Sequence, residues 1–77
     1  LTNTLNLRTV ESEIAKNLSN VQDNFNDIDI GSYPFFKAGK LGVSIVLRGT
    51  DQAKLNNCKS EIIAFVKEKK IEIVDRD

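Results

Sequence analysis

From Leu41 onward the chain alternates cleanly. Leu41, Val43, Ile45 and Leu47 fall on one side of an extended strand, with Gly42, Ser44 and Val46 on the other. Ile28 and Ile30 repeat the pattern one element earlier, with Asp27 and Asp29 pointing the other way. Near the start, Leu5 and Leu7 alternate with Thr4, Asn6 and Arg8, which predicts a half-buried strand over residues 2–8. Between these strands the period changes. Val10, Ile14, Leu18, Val21 and Phe25 recur at spacings of three and four, the stripe of an amphipathic helix. Leu55, Cys58, Ile62, Phe65 and Val66 form a second such stripe, and residues 71–74 read as a short last strand.

Local signals refine the boundaries. Thr9 stands where a helix cap is expected, with Glu11 and Glu13 in a first turn whose dipole favours acids. Asn20, Asn24 and Asn26 weaken helix propensity, so this helix should end near Asn24. Thr50 or Asp51 should cap the second helix, and Lys67, Lys69 and Lys70 crowd its C-terminus. Lys37-Ala38-Gly39-Lys40 reads as a hairpin loop with Gly39 free to take a positive φ. Pro34 cannot donate to a strand ladder, which places its strand at a sheet edge or a bulge, and Gly31 suggests the bulge. Asp75, Arg76 and Asp77 should fray from the end.

The order strand, helix, strand, strand, helix, strand predicts an α+β, two-layer sandwich of the βαββαβ (ferredoxin-like or KH-like) type. It would have a four-stranded, mainly antiparallel sheet with two helices on one face. Such a sheet has its first and third strands at the centre. Pro34 on the second strand and the charge bracketing the short fourth agree with edge positions.

Composition narrows the class without naming a function. Seventy-seven residues make one domain and one core. Acids and bases balance at eleven each, which argues against a dedicated nucleic-acid binder, since such proteins carry a basic excess. No apolar run is long enough for a membrane helix and no signal-peptide pattern occurs. One cysteine, Cys58, cannot form an internal disulfide, and a reducing, cytoplasmic setting is the simpler expectation. The absence of Met and a start at Leu1 lead us to expect a single accessory domain, residues 1–77, of a longer protein.

Candidate chemistry is sparse. The chain has no histidine, which removes His-based triads, Cys-His dyads and His metal sites. Cys58 lies on an apolar stripe and reads as a small buried hydrophobe. Asp27 and Asp29 could share a cation, but two carboxylates without a third oxygen ligand make a poor site, and a solvated strand face explains them. Gly39-Lys40-Leu41-Gly42 spells the G-x-x-G of KH domains, yet here it falls between strands, where glycines serve a hairpin. We therefore expect no catalytic, cofactor-binding or metal-binding residue in this chain.

Tyr33, Phe35 and Phe36 are harder to absorb. Neighbours on a strand alternate, so Phe35 shares a face with Tyr33 and Phe36 takes the opposite one. At least one ring then looks outward, either lying flat on the sheet or docking another domain or subunit. The candidate interaction residues are Gly31, Ser32, Tyr33, Pro34 and Phe36, with Phe36 as the outward ring.

The run Gly31-Ser32-Tyr33-Pro34, two aromatics, a short turn, then Gly42-Val43-Ser44-Ile45-Val46-Leu47-Arg48-Gly49-Thr50-Asp51 resembles a known small domain. That domain follows the molybdopterin-binding-like domain of CinA-type (competence/damage-inducible) proteins and of eukaryotic-type FAD synthases. Glu11, Ser12 and Ile14 fit its upstream helix, so the likeness spans about residues 4–66. The resemblance implies a parent that processes nucleotides, a nucleotide pyrophosphatase using a divalent metal such as Mg, with those residues in the neighbouring larger domain. It implies for this chain a non-catalytic accessory role. The expected partner is a neighbouring domain of the parent, with a homo-oligomer as a further option. A small regulatory or KH-like nucleic-acid-binding module is the alternative.

Overall fold

A computed structural model of the chain describes residues 1–74; the expected fraying of Asp75, Arg76 and Asp77 lies outside them. The elements are β1 (Thr2–Arg8), α1 (Glu11–Asn24), β2 (Asp29–Lys37), β3 (Lys40–Arg48), α2 (Gln52–Glu68) and β4 (Glu72–Ile73). The strands form one sheet in the order β2-β3-β1-β4, and every pairing is antiparallel. The predicted α+β sandwich is therefore the observed one, with β1 and β3 central and β2 and β4 at the edges.

The core forms where the strand and helix periods meet. Leu5 and Leu7 of β1 and Val43, Ile45 and Leu47 of β3 face Ile14, Leu18 and Val21 of α1. Leu55, Cys58, Ile62 and Val66 of α2 and Ile28, just before β2, complete the cluster. Phe25, Ile30, Ile63, Phe65 and Ile71 flank it. Leu41 was expected with this set but is 55% exposed. It lies beyond the ends of the helices, where the alternation continues but nothing covers it.

The helix ends show how local chemistry and chain geometry divide the work. The Asp51 side chain accepts from the amides of Ala53 (2.9 Å) and Lys54 (3.2 Å), so Asp51 caps α2 and Thr50 does not. Thr9 does not cap α1. The capping position is Val10, which has no capping side chain, and the Glu13 amide donates to the Val10 carbonyl at 3.1 Å. Thr9 stands one residue too early. At the far end of α2 the Lys70 backbone takes φ 60°, and the Ile71 amide donates to the Val66 carbonyl at 2.9 Å. This is the left-handed helix stop that glycine usually supplies.

The β2–β3 register runs from Asp29↔Arg48 to Lys37↔Lys40 without interruption, so the bulge expected at Gly31 is absent. A two-residue turn closes the hairpin, with φ 55° at Ala38 and 76° at Gly39. Positive φ at both positions matches the right-handed twist of the flanking strands. Asp27 precedes β2 and is not part of its face. Its carboxylate instead accepts from Lys54 Nζ at 2.6 Å, and this hydrogen bond holds the Asp27 carboxyl below its usual range. Both side chains are more than half exposed, so the pair adds little to stability.

Candidate interaction site

The five residues singled out from the sequence share one strand but not one face. Paired residues of β2 and β3 stand on the same side of the sheet. Ile30, Ser32, Pro34 and Phe36 pair with Leu47, Ile45, Val43 and Leu41, which is the helix-covered side. Asp29, Gly31, Tyr33, Phe35 and Lys37 pair with Arg48, Val46, Ser44, Gly42 and Lys40, on the side without helices.

The edge itself is blocked. The Ile30 amide points away from the sheet and donates to Gln22 Oε1 at 3.2 Å. The Gln22 amide nitrogen in turn donates to the carbonyls of Ile28 (2.6 Å) and Phe25 (3.0 Å), tying β2 to α1. Residues two apart on a strand share an orientation, so Pro34 occupies an outward-facing position four residues along. There its missing N–H costs no ladder bond and denies one to any incoming strand.

On the open face the aromatics lie along the sheet. A methyl placed on Gly31 would stand 2.9 Å from Tyr33 Oη and 3.0 Å from its Cε2, so the Tyr33 ring folds back over Gly31 and stays 54% exposed. Beside it, Asp29, Gly31, Tyr33, Val46 and Arg48 line a shallow depression of about 270 Å³. The Phe35 ring lies across Gly42, where a methyl would overlap it, and is 8% exposed. Next to it the Ser44 hydroxyl donates to Asn6 Oδ1 at 2.7 Å, a buried polar contact between β3 and β1. Gly42 is thus a seat for Phe35, and its place in a G-x-x-G spelling is incidental. We expect Gly42→Ala to destabilise the chain by about 1–3 kcal/mol in urea unfolding, because the ring must leave its seat.

Phe36 is exposed, at 69%, but not for the reason expected: it stands on the helix side of the sheet, while Phe35, on the open face, is the buried ring. Phe36 is paired with Leu41 there, at the hairpin tip. Leu41 escaped the sequence reading because it continues the buried row of β3. Only the length of the hairpin relative to the helices exposes it.

Burial pushes the Cys58 thiol up, and nearby Glu61 adds to the shift, so this side chain is packed as a hydrophobe. Among the described residues no group of three or more Cys, Asp or Glu side chains converges as a metal site. Nor is any helix among them long and apolar enough to cross a membrane. A family model described as the FAD synthase middle domain matches residues 1–75.

The chain belongs to that family.

The FAD synthase half of the resemblance drawn from Gly31-Ser32-Tyr33-Pro34 is thereby established. Neither a curated protein nor a solved structure matches the chain. Membership of the FAD synthase middle-domain family implies neighbouring domains in a parent protein. In this FAD synthase middle domain, β2 presents Tyr33 to one side of the sheet and Phe36 to the other.

Proposed function

We propose that this chain is a non-catalytic accessory domain of an FAD-synthase-like, nucleotide-processing protein. Its interaction surface would be the segment that includes Gly31, Ser32, Tyr33, Pro34 and Phe36. The family match over residues 1–75 carries the reading. Support comes from exposed aromatics on a strand whose edge is closed to pairing, a surface suited to side-chain docking. In this reading a molybdopterin-binding-like domain precedes the chain, as in CinA-type relatives. The parent's chemistry, a metal-dependent pyrophosphatase using Mg, resides there, in a cytoplasmic setting.

In this reading the domain contributes packing and placement, and its sequence contains no histidine, the commonest general base. The test is direct. The chain incubated with FAD or ADP-ribose and magnesium should release no product above a buffer control. Turnover that survives repurification would overturn the accessory reading.

A further inference from the structure

Tyr33 is the one tyrosine of the chain, and the fold sets its ring as a plate. Because Gly31 has no Cβ, the ring lies along the sheet above it, seated on backbone below and open to solvent above. It points back along β2, toward Asp29. Asp29 and its register partner Arg48 stand on the same open side, about 7 Å beyond Gly31 and Val46, one same-face step of each strand. Both side chains are exposed, and among the described residues neither has a hydrogen-bond or ion-pair partner. Asp27, which lines a second depression together with Arg48, is already taken by Lys54. The hollow between plate and guanidinium is the one lined by Asp29, Gly31, Tyr33, Val46 and Arg48.

We propose that this hollow binds a nucleoside phosphate, with the base stacked on Tyr33 and the phosphate held by Arg48. A ring lying along the sheet takes another flat ring on its open face, and stacking of this kind accepts any base. A free guanidinium takes phosphate oxygens through two parallel hydrogen bonds. One strand step separates the two groups, so the ligand they fit carries a flat ring and an anion in one molecule. Asp29 accepts from the ribose hydroxyls between them. This deepens the accessory reading, on which it rests for a nucleotide-processing parent.

The open face also selects a single nucleotide over a strand of nucleic acid. A bound strand needs successive stacking platforms, and Phe35, the next aromatic on this face, is only 8% exposed. The hollow is shallow, about 270 Å³ against the roughly 300–1,000 Å³ of an enclosing pocket. Binding by the chain alone is therefore weak, with a Kd on the order of 1 mM.

The ring protons of a lone tyrosine report on the site directly in an NMR titration. Adenosine monophosphate, added to ~10 mM, should shift them upfield with saturation. Adenosine and ribose 5-phosphate each carry half of the recognition and should bind at least ~10-fold more weakly. Arg48→Gln should lower the affinity for adenosine monophosphate to that for adenosine and leave adenosine binding unchanged. Tyr33→Leu, followed through the amides of Gly31 and Val46, should remove the preference for adenosine monophosphate over ribose 5-phosphate. Should either variant unfold by circular dichroism, the three ligands compared on the unaltered chain decide the matter. No saturable shift by ~10 mM, or equal affinity for all three ligands, overturns the proposal. So does a single strand of ~10 nucleotides bound more than ~100-fold tighter than the mononucleotide. The accessory reading is judged separately, by turnover.

Discussion

Ile45→Ala should unfold at a far lower urea concentration than Val46→Ala, although the two residues are adjacent and both apolar. Ile45 is fully buried, paired with Leu5 of β1 and facing both helices. Truncating such a side chain removes its transfer free energy and leaves a cavity that packed neighbours only partly fill, at roughly 2–5 kcal/mol. A domain of this size holds on the order of 5 kcal/mol in all, so the Ile45 variant should be near its folding threshold. Val46 points to the open face, between Gly31 on β2 and Thr4 on β1, where little packs against it. Its truncation should cost about 1 kcal/mol or less. Equal losses at the two positions would show that the open face is covered as fully as the helix side.

The second large effect separates the two adjacent phenylalanines. Phe35→Ala should cost about 3 kcal/mol, because the ring is 8% exposed and seated on Gly42. Phe36→Ala should change the melting temperature of the chain little, within about 0.5 kcal/mol, since the ring stands in solvent. In the parent protein the same Phe36 change should weaken docking or self-association, as aromatic anchors often carry about 2 kcal/mol or more of an interface. Thermal melts of the chain and sedimentation of the parent measure the two effects. A chain that melts sharply lower after Phe36→Ala, with an unchanged parent assembly, would make Phe36 a core residue.

Much of this architecture was legible in the order of the residues. A strand's period of two and a helix's period near 3.6 are local properties, so Leu5, Val43, Ile14 and Ile62 announced their elements and their inward faces. Pro34 marked an edge because a missing N–H is a property of one residue. Asp51 capped α2 as its side chain predicts, and the turn at Gly39 closed where positive φ is tolerated.

The departures share a cause: each depends on what lies opposite in space. Gly31 read as a bulge, yet it is a flat position kept clear for the Tyr33 ring. Leu41 read as core, yet the hairpin outruns the helices that cover Val43. Asp27 read as a strand residue, yet it turns to Lys54, twenty-seven positions away. Whether Phe35 or Phe36 is buried could not follow from alternation, which separates their faces without saying which face is covered. Gly42, across the strand from Phe35, makes that choice. The sequence by itself determined the elements, their inward rows and the edge at Pro34, because those rest on local geometry. The seat of Phe35 on Gly42 and the exposure of the Phe36–Leu41 pair were decided by tertiary packing. They depend on strand register and helix length together.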